Sequence, residues 1–263
     1  MRLSAVSYLN TKPFIYGLYK SSLSDYIELS LDIPSVCAQK LLDGSVDIAL
    51  TPVAIIPELP QAYLVSDYCI GANGEVKTVC LYSEKPLTEI RRVFLDFHSR
   101  TSVMLTRILL EHYWKLTPEL VPASPGFEQE IKGDTAGLLI GDRTIGLDQK
   151  YPYVYDLGTA WTTWTGLPFV FAAWISVKPI KEDFTRQFNE ALRMGLEHLP
   201  ELMKILPAIP DFDLQSYYQN NISYQLDQAK WKALQMYLNY FPGENSYQLY
   251  RNSNSETPIH LNF

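Results

Sequence analysis

Short apolar runs of strand length alternate with amphipathic stretches of helical period along the first part of the chain. Arg2-Leu3-Ser4-Ala5-Val6-Ser7-Tyr8 reads as a strand that runs directly into Leu9-Asn10-Thr11-Lys12-Pro13-Phe14, with a helix after Pro13. A strand near Ile27 to Asp32, a helix near Ser35 to Asp43 and a strand Asp47 to Leu50 follow. Pro34 ahead of that helix and Gly44 just after it fit the asymmetry of helix starts and stops. The βαβαβ order predicts a parallel sheet. The third strand ends in Thr51-Pro52-Val53-Ala54, so two polar strand ends face one crevice.

Lys77 to Tyr82 is a further β-rich run, and the turn cluster Ser83-Glu84-Lys85-Pro86 marks a crossing between domains. The pattern then restarts. Arg92 to Leu95 reads as a strand, Asp96 to Ser99 as a loop, Val103 to Tyr113 as a helix, and strands follow at Leu120-Val121 and Ala136 to Ile140. Leu167 to Ile175 is a long buried strand that carries the chain back. Beyond it Phe184 to Leu199, Asp213 to Asn220 and Leu226 to Tyr240 look helical, with Pro200 and Pro242-Gly243 as breakers. Two βαβ lobes joined by two crossings predict a bilobed α/β fold of the periplasmic-binding-protein-like (type II) kind, with ligand in an interlobe cleft. The expected lobe I is residues 1–85 with 172–263, and lobe II is 86–171.

Composition narrows the partners. The chain has 263 residues, 47% of them hydrophobic, and a net charge of −7, so neither nucleic acid nor an anionic membrane is an expected partner. The longest strongly apolar stretch, Leu167 to Val177, is far short of the roughly 18 residues that cross a bilayer. Ser4, Ser7, Asn10 and Lys12 interrupt the N-terminus, so no signal peptide is read and a cytoplasmic location is expected. Cys37, Cys69 and Cys80 suggest buried free thiols, and His98, His112, His198 and His260 lack a metal-ligand spacing. No metal and no cofactor is expected.

Ligand chemistry concentrates at strand ends. Asn10 and Thr11 offer amide and hydroxyl groups without formal charge where α/β sheets bind ligands; as an ordinary turn, one of them would cap the next helix. Ser99-Arg100-Thr101-Ser102 lies between a strand and a helix, where hydroxyls, orphan amides and an arginine make an anion cradle. The plainer alternative has Ser99 capping the helix and Arg100 in solvent. Thr51 and Thr78 each carry a hydroxyl within reach of the cleft, Gly141 allows close backbone approach, and Asp142 either meets a substrate hydroxyl or pairs with Arg143. Trp161 and Trp164 wall a pocket or pack between the lobes, Asp47 is a structural turn residue, and His98 reads as a solvated loop histidine rather than a base. No catalytic Ser/His/Asp order, dinucleotide glycine fingerprint or phosphate loop is visible.

Several stretches, in order along most of the chain, resemble one family. They are Val6-Ser7-Tyr8-Leu9-Asn10-Thr11-Lys12-Pro13-Phe14, Asp96-x-x-Ser99-Arg100-Thr101-Ser102, Ile140-Gly141-Asp142, Asp156-Leu157-Gly158 through Phe171, and Asn221-Ile222-Ser223-Tyr224. They look like the chorismate dehydratases of the futalosine route to menaquinone. That resemblance implies a bilobed enzyme, a carbon-oxygen lyase, that converts chorismate to 3-[(1-carboxyvinyl)oxy]benzoate. Asn10 matches the family's catalytic asparagine, and Tyr8, Thr51, Thr78, Ser99, Arg100, Thr101, Ser102, Gly141 and Asp142 are the expected substrate contacts. The family's site hydroxyl at the first crossing, commonly Ser, falls nearest Thr78. An enzyme making 1,4-dihydroxy-6-naphthoate and a non-catalytic cytoplasmic binder of small carboxylates are the alternatives.

Overall fold

A computed structural model describes residues 1–241 and 247–251; the breaker pair Pro242-Gly243 and His260 lie outside the described residues. The first sheet is built from β1 (Arg2–Val6), β2 (Glu28–Asp32), β3 (Ile48–Pro52) and β4 (Gln61–Ala72). Its remaining strands come from the far end of the chain. Helix α1 (Lys12–Lys20) follows β1 and α2 (Pro34–Leu42) follows β2, giving the parallel βαβαβ unit in which β1 sits between β2 and β3.

The second sheet holds β5 (Val79–Ser83), β6 (Arg92–Leu95), β7 (Glu119–Pro122), β8 (Thr135–Ile140) and β9 (Tyr153–Asp156), in the order β7-β6-β8-β5-β9. Helix α3 (Arg100–Ile108) leaves β6, and α4 (Leu157–Thr165) leaves β9. Because β5 pairs with β8 and β9, the chain changes sheets at 73–78, earlier than the Ser83–Pro86 turn taken from the sequence. The first crossing is clasped to the start of α4. Asp156 caps α4 through Thr159 N–H and also accepts from the backbone N–H groups of Val76 and Lys77 at 3.1 and 2.7 Å. Burial raises its pKa, and the three amide donors oppose that rise.

Strand β10 (Phe169–Ser176) returns to the first sheet and lies antiparallel between β3 and β4. Helices α5 (Glu182–Glu197), α6 (Leu199–Ile205), the single turn α7 (Leu214–Ser216) and α8 (Gln228–Leu238) follow, with β11 (Ser223–Gln225) and β12 (Gln248–Arg251) both pairing with β4. Pro200, read as a breaker, instead occupies the first turn of α6, where its missing N–H costs nothing. The long strand β4 was hidden by its polar pair Ser66-Asp67. There the ladder with β10 slips register, and Asn189 Oδ1 accepts from Ser66 Oγ and Asp67 N–H.

Helix α1, which follows the Leu9–Thr11 turn that carries Asn10, is pressed onto α5 through two glycines. A Cβ at Gly195 would lie 1.9 Å from Pro13 O, and one at Gly17 would lie 2.0 Å from Ala191 O. In an isolated helix Gly→Ala gains about 1 kcal/mol. Here the clash is with backbone, which no rotamer relieves, and overpacking costs about 1–3 kcal/mol or more. Gly195→Ala is therefore expected to lower the urea unfolding midpoint at unchanged m value; a midpoint above wild type would contradict the helix contact.

Candidate active site

Between the sheets lies a cavity of about 50 Å³ lined by Tyr8, Asn10, Thr78, Ser99, Ser102 and Gly141, among others. Val6, Ile70, Val76, Val79, Ile140, Phe171, Ala172, Pro34 and Pro52 complete its apolar wall. Asn10 reaches it because β1 stops at Val6 and the chain makes a tight turn over Leu9–Thr11 before α1; no side chain caps α1, so neither Asn10 nor Thr11 is spent on that role. The starts of α1, α2 and α3 converge here, through Asn10, Pro34 and Ser99. Each helix N-terminus contributes roughly half a positive charge, although the first amides of α2 are already spent, Ser35 N–H on His98 O and Val36 and Cys37 N–H on Ile33 O. The lining holds no lysine or arginine.

The Ser99–Ser102 turn divides in a way that helix geometry explains. Ser99 caps α3 by accepting Ser102 N–H at 3.2 Å, its hydroxyl donates to Ser102 Oγ at 3.1 Å, and both line the cavity. Three residues apart is one face of a helix; the intervening positions point elsewhere. Arg100 is accordingly corrected as a cavity residue. Its guanidinium pairs with Glu58 at 2.7 Å in a separate outer groove of about 450 Å³. Thr101 is corrected too, since its buried hydroxyl accepts Ala54 N–H at 3.2 Å and its carbonyl accepts from Tyr237. Both residues bridge the lobes instead.

Other expected contacts are also latches. Asp142 meets neither the cavity nor Arg143: its carboxylate accepts Leu9 N–H at 3.1 and 3.2 Å, tying lobe II to the residue before Asn10. Burial raises its pKa, while the Leu9 amide and Lys12 oppose that rise. Arg143 pairs with the buried Asp96 and with Glu128. Thr51 is fully buried and its hydroxyl has no partner, whereas its neighbour Pro52 lines the cavity. Thr78 does line it, with its hydroxyl 3.0 Å from that of Tyr217. Gly141 is required twice over: its φ is +70°, and a Cβ would lie 2.5 Å from the Tyr8 ring. Trp161 packs in the core with its indole N–H on Pro168 O; Tyr8 and Phe171 are the aromatic walls.

His98 is not a solvated loop residue. It is half-buried, its Nδ1 lies 2.7 Å from the Tyr8 hydroxyl, and its carbonyl accepts Ser35 N–H, so it joins the lobes. Burial pushes the Tyr8 phenol up, so that group stays protonated and donates to Nδ1 in the tautomer whose ring proton is on Nε2. The residues missed from the sequence are Tyr217, Tyr218 and Tyr224. Tyr218 donates to Leu9 O at 2.8 Å and Tyr224 to Asn10 O at 2.9 Å. Their signals in the sequence are the run of tyrosines in a polar segment, Tyr217-Tyr218 and Tyr224, and for Tyr224 the Asn221-Ile222-Ser223-Tyr224 stretch.

The architecture is a bilobed, periplasmic-binding-protein-like fold with an interlobe site. It is shared with a protein from Archaeoglobus fulgidus (TM-score 0.64, 14% identity, covering 90% of this chain and 95% of that one). A Candida albicans protein described as having the generic periplasmic binding protein fold also matches, with TM-score 0.58, 9% identity, and coverage of 94% and 92%. The chain belongs to the menaquinone biosynthesis family, whose profile matches residues 1–242. A chorismate dehydratase from Thermus thermophilus is 29% identical over 196 residues, 65% of this chain and 69% of the relative.

The interlobe contact of His98 carries a pH dependence. Burial, then Arg143, hold its pKa below the usual value, against the opposing pull of Asp96 and Glu128. As pH falls below about 6.5 the unfolded chain takes up this proton before the folded one, so folded stability is lost through that window. Protonation also removes the acceptor for Tyr8. Unfolding midpoints measured across that window should fall further for wild type than for His98→Asn, which keeps an acceptor but does not titrate; parallel curves would count against the contact.

Proposed function

We propose that this protein removes water from chorismate to give 3-[(1-carboxyvinyl)oxy]benzoate, within the futalosine route to menaquinone. The observation that carries the reading is Asn10 sharing one apolar cavity with Thr78, Ser99 and Ser102, with no Asp, Glu, Lys, Arg or His in the lining. Support comes also from membership of the menaquinone biosynthesis family and from the relative that is a chorismate dehydratase.

The chemistry suits such a site. The chorismate C3 proton is acidified through the ring diene conjugated to the carboxylate. Breaking that C–H bond and the neighbouring C4–O bond releases one water and leaves an aromatic ring, which supplies driving force. The protein then needs to orient the substrate, steady developing negative charge and keep solvent out. In the proposed arrangement the N-terminal turn of α3, with Ser99 and Ser102, receives a carboxylate. Asn10 hydrogen-bonds the reacting region. The Tyr8 phenol stays protonated, and the substrate's enolpyruvyl carboxylate serves as the proton acceptor.

Chorismate exceeds a cavity of about 50 Å³, since small-molecule pockets run to roughly 300 Å³ or more. Entry therefore requires the lobes, taken as 1–72 with 169–241 and 247–251 and as 79–165, to part and then close. Mixing purified protein with chorismate and following the ultraviolet spectrum and product mass tests the reading. Loss of one water supports it; chorismate bound tightly but unchanged would make the protein a binder. Asn10→Ala is expected to lower kcat about 10²- to 10³-fold while leaving the unfolding midpoint nearly in place. Arg100→Ala should leave kcat within a few-fold, because its guanidinium lies with Glu58 in the outer groove. Equal kcat for wild type and Asn10→Ala would remove Asn10 from the mechanism.

A further inference from the structure

Tyr8 alone among the cavity-lining side chains carries a titratable group, and burial pushes its phenol upward, away from neutral pH. It belongs to the first lobe; what holds it belongs to the second. Its ring lies against Gly141, so close that a Cβ there would sit 2.5 Å from Cε2, and its hydroxyl lies 2.7 Å from His98 Nδ1. One carboxylate sets both contacts. Asp96, fully buried, accepts His98 N–H at 3.0 Å through Oδ1 and the N–H of Ile140, next to Gly141, at 3.1 Å through Oδ2. The imidazole is hemmed in as well: the Phe97 ring crosses it at 73° with centroids 4.5 Å apart, and the His98 carbonyl accepts Ser35 N–H from the first lobe.

We propose that His98 is a positioning residue, which holds the Tyr8 phenol in place as a wall of the closed cavity and does so only while its imidazole is neutral. His98 does not itself line the cavity. A neutral Nδ1 accepts the phenol proton; a protonated imidazole has N–H on both nitrogens and no lone pair to offer. Loss of that bond frees Tyr8, which is joined directly to Leu9, the residue latched by Asp142. The charged groups acting on the imidazole are Arg143, which disfavours protonation, and Asp96 and Glu128, which favour it; Arg143, Asp96, Asp142 and Cys37 act on the phenol. Burial and Arg143 outweigh the two carboxylates, so the ring stays neutral until pH falls below its ordinary range. Turnover thereby acquires an acid limb from a residue that touches no reacting atom.

The kinetic part of this inference rests on the chorismate reading; the contact between Tyr8 and His98 does not. In the ¹⁵N-labelled full chain without substrate, the His98 ring nitrogens, assigned by their loss in His98→Asn, should show the proton on Nε2. Tyr8→Phe should raise the pH at which that ring titrates, because the lost bond favoured the neutral form. With chorismate, wild-type kcat should fall as pH drops through the same titration. The fall should be absent in His98→Asn, whose amide oxygen stands in for Nδ1, and in Tyr8→Phe. Above that titration His98→Ala should lower kcat by about 10²-fold, leave KM within a few-fold and add little in a Tyr8→Phe background. A ring titration unmoved by Tyr8→Phe, an acid limb that persists in His98→Asn, or a His98→Ala loss undiminished in Tyr8→Phe would overturn the proposal. Wild-type protein that leaves chorismate unchanged would overturn the functional reading alone, and the ring titration would still decide whether His98 holds Tyr8.

Discussion

The fixed point of the molecule is the main chain at Leu9 and Asn10. The Leu9 N–H is claimed by Asp142 from the other lobe, and the Leu9 and Asn10 carbonyls are claimed by Tyr218 and Tyr224. Each of these bonds is worth only about 1 kcal/mol or somewhat more, yet leaving any of the buried partners unmatched costs more than the bond itself contributes. Of the three anchors only Asp142 comes from the other lobe, so the amide partner of the loop is present only when the lobes meet. Tyr8 with His98, Thr101 with Ala54 and Arg100 with Glu58 join the lobes as well.

Charge is handled by placement. Every formally charged group near the cleft among those described above is already committed: Asp142 to an amide, Arg143 to Asp96 and Glu128, Arg100 to Glu58. What remains facing the cavity is neutral, and the positive field comes from helix starts. Dipoles fixed in the backbone do not reorganise when charge moves in a reaction, whereas a mobile lysine would. The proposed anionic substrate would therefore meet a neutral lining in a protein of net charge −7.

The legible and illegible parts of the sequence divide along physical lines. Polar residues at a strand-to-helix junction are visible from local pattern, and Asn10, Ser99 and Ser102 do meet in one cavity. Which face a helical residue takes is set by one turn of geometry, and a whole-turn reading of 99–102 could not separate Ser102 from Arg100 and Thr101. Lobe-to-lobe partners depend on contacts far apart in sequence, such as Leu9 with Asp142, and local pattern holds no trace of them. The strand β4 escaped because a register slip placed Ser66-Asp67 in mid-strand, which breaks the apolar run that marks a buried strand.

The position of β10 has a consequence for synthesis on the ribosome. β3 and β4 are not neighbours; β10 fills the space between them, and it is made only after the whole second sheet. A nascent chain thus holds two unpaired strand edges in its N-terminal part while the inserted module completes its own sheet. Vectorial translation favours the later-numbered lobe maturing first, and the Leu9–Asn10 loop, though among the first residues to emerge, is among the last to find its partners.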